Sequence, residues 1–267
     1  MQIGFIDSGV GGLSILSAVR AIVPASYIYV MDNQYLPYGE KSEAFIQARL
    51  AQLSALLLEK GADLIVIACN TATTQAVASL RAQFSVPFVG TVPAIKPAAT
   101  NFCRAGFTVL ATPATCQSAY LQELLTEFAP ECMVRTAGSS ELVRLAEQKV
   151  WYQQDVHQEV ATELRHLGVI AAAPAALVLG CTHFPFLATE LQALLPHTVL
   201  LDTADAIAKR VLTLVSRMHD TRQPSEQLSH LYISSGELDL QQRQRVVEFG
   251  FDQYEHWSKP ASLNSSI

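Results

Sequence analysis

Two stretches of the sequence end an aliphatic run in a cysteine and follow it with small polar residues: IACNTA at 67–72 and LGCTHF at 179–184. A thiol at a strand end, just ahead of a helix, faces that helix's N-terminal amides, a setting that favours the thiolate. Cys69 and Cys181 are both expected to have it, with Asp7 and His183 as polar neighbours. Three chemistries could use such a set. Zinc could be held by Cys69, Cys181 and His183, although the spacing has no CxxC pair. Cysteine–histidine hydrolysis needs one thiol and leaves the other unexplained. Inversion at a carbon needs a base on one face and an acid on the other, and two thiols, one ionised and one not, supply both. The twofold pattern fits inversion best.

The other three of the five cysteines read as structural: Cys103 in an apolar helix, Cys132 in a strand-like stretch and Cys116 after TPAT. An odd number with no paired spacing argues against a disulfide framework.

Elements that could position these residues are legible as alternating runs. Short apolar segments predict strands at 3–6, 27–31, 64–68, 87–90, 108–111, 177–180, 199–201 and 231–234. Longer amphipathic stretches predict helices over 44–60, 73–84, 118–128, 154–167 and 204–218. This is the pattern of an α/β fold with mostly parallel sheets covered by helices. With 267 residues, 50% of them hydrophobic, the chain can build one large domain or two small ones.

The sequence also repeats itself. DLIVIACNTA at 63–72 can be laid on AALVLGCTHF at 175–184 with the cysteines in register, and IGFIDSGVGG at 3–12 weakly echoes GFTVLATPAT at 106–115. Two similar α/β halves related by a pseudo-twofold axis would explain both. The first domain is expected over 1–92 plus 207–258, the second over 93–206, and a mobile polar tail over 259–267. Ligands of open α/β sheets sit beyond the carboxyl ends of the strands. Facing halves would therefore bring DSGVGG, CNTA, TPAT and CTHFP to one cleft.

Several functions are disfavoured. Eighteen basic against 24 acidic residues give a net charge of −6, with no basic cluster to track a phosphate backbone, so no nucleic-acid partner is expected. The N-terminal segment lacks the features of a signal peptide, and the apolar stretch 169–181 is broken by Pro174 and too short to span a bilayer, so no membrane association is expected. These features predict a cytoplasmic protein with reduced thiols. The turn SGVGG lacks the spacing of a nucleotide fingerprint, and its amides are expected to face the cleft, where they could hold a small carboxylate.

The ordered set GFIDSGVGGLS, LPYGEK, IACNTAT, TVPAIKPA, TPAT and CTHFP resembles the glutamate racemase family, over about residues 3–205. That family interconverts L- and D-glutamate for the bacterial cell wall without a cofactor or metal. The resemblance implies that Cys69 acts on D-glutamate, assisted by Asp7, and Cys181 on L-glutamate, assisted by His183. Asp7 and Ser8, Tyr38 and Gly39, Asn70 and Thr71, and Thr182 and His183 match the substrate-contacting pairs. It further implies two α/β domains around the cleft, the first completed by the C-terminal segment, and a homodimer. Two departures stand out. Ala111 occupies a position that is often glycine, which weakens Thr112 and Thr115 as ligand contacts. Around AGSSELVRLAE a proline-containing pattern is missing, which weakens Glu147 as a further acidic helper and leaves a solvated helix face as its competing reading. Taken alone, His183 reads as an ordinary polar residue after a strand and Tyr38 as a packing aromatic; Cys181 and the PYG loop turn both toward the site.

Rival readings remain. An aspartate racemase would share the two thiols, but its second cysteine is usually followed by Thr-Glu, and here by Thr-His. A non-catalytic amino-acid binding protein would not need paired thiols. A pyridoxal-phosphate racemase would need Lys41 or Lys96, neither with a phosphate-binding context.

Overall fold

The computed structural model describes residues 1–218 and 228–259. The expected tail at 259–267 lies, beyond Lys259, outside the described residues. The chain divides into two compact units, Met1–Thr91 with the described part of Ala204–Ile267, and Val92–Thr203.

The first unit opens with β1 (Gln2–Asp7), α1 (Leu13–Arg20), β2 (Ser26–Met31), α2 (Glu43–Glu59), β3 (Leu64–Ile67), α3 (Asn70–Gln83) and β4 (Phe88–Gly90). The second contains α4 (Ile95–Phe102), β5 (Phe107–Ala111), α5 (Pro113–Gln117), α6 (Ala119–Phe128), β6 (Val134–Gly138), α7 (Glu141–Tyr152), α8 (His157–His166), α9 (Val169–Ala172), β7 (Ala176–Leu179), α10 (Ala188–Leu194) and β8 (Val199–Leu201). The chain then returns to the first unit with α11 (Ala204–Val215), β9 (His230–Ser234), α12 (Leu240–Glu248) and β10 (Gln253–His256).

Both sheets are parallel, in the orders β10-β9-β2-β1-β3-β4 and β6-β5-β7-β8. The order β2-β1-β3-β4 of the first therefore reappears as β6-β5-β7-β8 in the second. Register sharpens the sequence repeat. Ile3 pairs with Leu64 and Ile6 with Ile67, whereas Phe107 pairs with Ala176 and Leu110 with Leu179. With Cys69 laid on Cys181, Ile3 thus corresponds to Phe107, one residue later than the sequence echo suggests. Ala111 then stands where Asp7 stands, and Thr112 where Ser8 stands.

The eight expected strands are present, and two more, β6 and β10, flank them at sheet edges. In the first unit Ile6, Ile28, Val30, Ile65 and Ile67 pack on Ile46, Leu50, Leu53 and Leu57 of α2 and on Ala72, Ala76 and Leu80 of α3. Fully burying a side chain of this kind is worth about 1.5–3 kcal/mol, so this face contributes strongly to the unit's stability. Gly4 permits the approach of α2, since a Cβ there would meet Leu57 Cδ1 at 2.6 Å. In the second unit Phe107, Val109, Ala176 and Val178 pack on Ile95, Ala98 and Ala99 of α4 and Leu121 of α6. Pro97 lies in the first turn of α4, where a missing N–H costs no helical hydrogen bond.

The structure corrects the reading of two cysteines. Cys103 and Cys132 are joined in a disulfide across 29 residues, while Cys69, Cys116 and Cys181 are free. Cys103 ends α4 and Cys132 sits ahead of β6. The amide of Phe107 donates to the carbonyl of Met133 at 3.1 Å, and this β5–β6 pairing brings the two cysteines together. Among the described residues no helix is long and apolar enough to cross a membrane. No group of three or more His, Cys, Asp or Glu side chains among them could hold a metal ion.

Candidate active site

In the first unit the polar residues gather at the carboxyl ends of neighbouring strands. Asp7 ends β1 and Cys69 follows β3, with the amide of Ala68 donating to the Ile6 carbonyl at 2.8 Å. Cys69 is the N-cap of α3, in extended conformation, so the 14-residue helix starts at Asn70 rather than Thr73. Its thiol side chain, 7% exposed, stands at the positive end of that helix. Asn70 and Thr71, the first residues of α3, are buried, and Asn70 Oδ1 has no hydrogen-bond partner. A buried carbonyl oxygen without a donor carries an unmet demand for one. Asp7 is fully buried, and its Oδ1 accepts from the Gly9 amide at 2.8 Å. That amide of the SGVGG turn therefore serves Asp7 rather than an anion. The turn itself is pinned by Tyr29, whose hydroxyl donates to the Gly9 carbonyl at 2.7 Å. Gly12 is demanded by close approach, since a Cβ there would lie 2.8 Å from Tyr29 Oη and 3.0 Å from Asp7 Cβ. Ser8 is buried beside Asp7 in the chain.

Tyr38 and Gly39 begin a short 3-10 turn after β2. Tyr38 is 1% exposed and packs in the same apolar cluster as Cys69. Its hydroxyl donates to Asp32 Oδ2 at 2.6 Å. Burial, followed by the adjacent Asp32 carboxylate, pushes this hydroxyl well above the usual phenol range, so it remains a donor. Arg49 closes the group from α2, with Nη2 2.6 Å from Asp32 Oδ1 and both side chains fully buried. Sequence reasoning missed Asp32 and Arg49. The available signal was a charged residue on the apolar face of α2, one turn from Ile46 and Leu53.

In the second unit Thr112 and Thr115 follow β5, and Cys181 follows β7. Thr112 caps α5, accepting from the Thr115 amide at 3.3 Å and donating to the Thr115 hydroxyl at 3.0 Å. Both are buried in this local network. Cys181 departs from expectation: a turn and the short 3-10 helix Phe184–Leu187 follow it, and α10 begins only at Ala188. An α-helical N-terminus therefore supports Cys69 alone.

Cys181 has a different support. His183 Nδ1 lies 3.8 Å from its Sγ, and His183 Nε2 lies 2.7 Å from Glu147 Oε1. Glu147 Oε2 accepts from Trp151 Nε1 at 2.8 Å, one turn further along α7. The Glu147 side chain is 12% exposed, which replaces the solvated-face reading with a partly buried contact. Burial alone would lower the His183 pKa, but the hydrogen bonds to Cys181 and Glu147 and the attraction of their charges outweigh it and hold it well above 6.5. An imidazolium beside the thiol favours the thiolate. Thr182 is buried between Cys181 and His183 in the chain. The structure thus gathers Asp7, Ser8, Tyr38, Gly39, Cys69, Asn70 and Thr71 at the strand ends of one sheet. Thr112, Thr115, Cys181, Thr182 and His183 gather at those of the other, with Glu147 reaching His183 from α7.

Comparison with known proteins agrees in family. Residues 3–211 match the family model described as Asp/Glu/Hydantoin racemase. The chain is 42% identical over 254 residues to the glutamate racemase of Shewanella woodyi, covering 93% of this chain and 95% of that one. It is 46% identical over 215 residues to that of Pectobacterium atrosepticum, covering 79% and 75%. The crystal structure of Escherichia coli glutamate racemase in complex with L-glutamate and the activator UDP-MurNAc-ala superposes with a TM-score of 0.88 at 38% identity, covering 96% and 97%. The Francisella tularensis glutamate racemase in complex with D-glutamate superposes with a TM-score of 0.77 at 26% identity, covering 99% and 98%. The chain belongs to the Asp/Glu/hydantoin racemase family, among its glutamate racemases.

Proposed function

We propose that the protein interconverts L- and D-glutamate without a cofactor, through two thiols that exchange the Cα proton on opposite faces. The observation that carries this reading is the equivalence of Cys69 and Cys181, each following the matching strand of two sheets with the same order. With L-glutamate, the Cys181 thiolate removes the Cα proton and the Cys69 thiol delivers its own to the other face. With D-glutamate the roles reverse. One thiol ends protonated and the other ionised, so the pair resets by exchange with solvent.

Asp7 would assist Cys69. His183, held by Glu147, would assist Cys181. Ser8, Tyr38, Gly39, Asn70, Thr71, Thr115, Thr182 and His183 would contact substrate, with the unpaired Asn70 carbonyl supporting a role as acceptor for a substrate N–H. In this reading the two units are the domains serving one substrate, the product supplies D-glutamate for peptidoglycan, and the enzyme works as a cytoplasmic homodimer. The Thr-His pair after Cys181 favours glutamate over aspartate.

The test is circular dichroism with L-glutamate and L-aspartate, followed by the reaction in D₂O stopped early. Loss of optical activity is expected with glutamate alone. Early product should carry Cα deuterium while remaining substrate stays protiated, starting from either enantiomer. Product retaining substrate-derived protium would mean a single base and would refute the mechanism.

A further inference from the structure

Asp32 and Arg49 form a fully buried ion pair that the proposed proton transfers do not use. Arg49 donates to Asp32 through Nε at 3.0 Å and Nη2 at 2.6 Å, a forked geometry that fixes the carboxylate in plane. Asp32 Oδ2, the oxygen that accepts from Nε, also receives the Tyr38 hydroxyl at 2.6 Å. The guanidinium carbon lies over the rings of Tyr35 and Trp257, 4.8 and 4.9 Å from their centroids. Its remaining nitrogen, Nη1, donates to the Lys259 carbonyl at 2.6 Å and to Gln52 Oε1 at 3.3 Å. One side chain of α2 therefore ties the segment after β10 to the loop that carries Tyr38 and Gly39. Tyr38 in turn packs with Cys69 and feels its charge.

A buried ion pair is a poor source of net stability, because desolvation offsets the attraction, and a well-packed apolar pair often serves as well. Its geometric precision is what an apolar pair cannot supply. We propose that Asp32 and Arg49 are positioning residues for the Cys69 half of the reaction, holding Tyr38 in place beside that thiol and locking it to the C-terminal segment through Trp257 and Lys259. The proposal rests on the reading of Cys69 as one of two proton-carrying thiols. Neither residue touches the reacting atoms; both act through Tyr38.

Turnover alone cannot tell the two sides apart, since enantiomers are isoenergetic and kcat/KM must stay equal in both directions. Primary isotope effects can. The Cα–deuterium bond of 2-deuterated D-glutamate is broken at Cys69, and that of 2-deuterated L-glutamate at Cys181. Slowing the Cys69 transfer alone raises the first isotope effect and lowers the second, whereas a general loosening of the fold moves both alike.

The variants are Asp32→Asn, Arg49→Lys and Tyr38→Phe, with thermal melts to confirm folding. Asp32→Asn leaves the buried guanidinium uncompensated; if it does not fold, Tyr38→Phe, which removes only a hydroxyl, carries the test. Displacement of a positioned group by a fraction of an ångström to 1 Å predicts a fall in kcat of about 10- to 100-fold. KM should change much less. Isotope effects should separate, larger with D-glutamate and smaller with L-glutamate, and Arg49→Lys should fall between wild type and the other two. Folded Tyr38→Phe and Arg49→Lys proteins with wild-type kcat, or with reduced kcat and isotope effects that stay matched, would overturn the proposal. Failure of the two-thiol reading would appear separately, in wild type, as substrate-derived protium in the product.

Discussion

Replacing Glu147 by glutamine isolates the support given to Cys181. The glutamine keeps the size of the side chain, but its single carbonyl oxygen can accept from Trp151 Nε1 or from His183 Nε2 and not from both, and the negative charge 2.7 Å from the imidazole is removed. A hydrogen bond to a charged group is worth about 1.5–3 kcal/mol, and each pKa unit about 1.4 kcal/mol. The titration of His183 should therefore fall in Glu147→Gln, back toward the ordinary imidazole range. With less positive charge held beside Cys181, turnover should drop about 10- to 100-fold, the equivalent of about 1.5–3 kcal/mol. Folding stability carries a matching signature. Because the folded pKa of His183 is raised above 6.5, the folded state holds that proton more tightly than the unfolded chain. The resulting stability is complete below pH 6.5 and is lost as pH rises through the folded pKa. Wild-type Tm should lose this contribution over that window, and Glu147→Gln should have less of it to lose. Histidine ring NMR reads the titration directly, with melts at stepped pH as the second measurement. A wild-type His183 that titrates at or below 6.5, or one whose titration Glu147→Gln leaves in place, would refute the assigned coupling.

Cys69→Ser and Cys181→Ser should each abolish racemisation in a folded protein, because a hydroxyl is far less acidic than a thiol, whereas Cys116→Ser should retain near wild-type rates by circular dichroism. Retention of more than a few per cent of turnover in either of the first two would remove that thiol from the mechanism. Opening the Cys103–Cys132 disulfide, by reduction or by Cys103→Ser with Cys132→Ser, should lower stability by up to about 3–4 kcal/mol on loop length and leave kcat within about twofold. Urea melts and turnover on the same samples check this, and a large loss of kcat would tie the disulfide to the site.

Much of the fold was legible because buried parallel strands read as uninterrupted aliphatic runs. The strands that escaped notice, β6 and β10, are two of the four edge strands and carry exposed polar residues such as Arg135, Thr136, Gln253 and Glu255. Polar residues at a sheet edge discourage further pairing, so no apolar run marks these two, whereas β4 and β8, at the other two edges, keep apolar residues such as Phe88, Val89 and Leu200. The Cys103–Cys132 pair was hidden for a related reason. The end of α4 and the entry to β6 become neighbours only when β5 and β6 pair, which spacing cannot reveal. Strand-end positions of Asp7, Cys69 and Cys181 were readable locally, whereas the contacts of Asp32 with Arg49 and of Glu147 with His183 join elements far apart in sequence.

In the proposed mechanism, the two thiols would serve one reaction from matching strands of a repeated fold, each with different local means. After β3 the chain enters a 14-residue helix, and Cys69 takes the N-cap, where backbone amides favour negative charge. After β7 the chain enters a turn containing Pro185, and no α-helix begins until Ala188, so the equivalent field is missing at Cys181. His183 and Glu147 supply a mobile charge in its place, one that pH can remove. The two halves should therefore differ in salt and pH response even though the equilibrium they serve is symmetric: fixed dipoles at α3 do not titrate, whereas the imidazolium beside Cys181 does. The imidazolium, lost as pH rises through the raised His183 pKa, therefore makes the support of Cys181 pH-sensitive in the two-thiol mechanism proposed above.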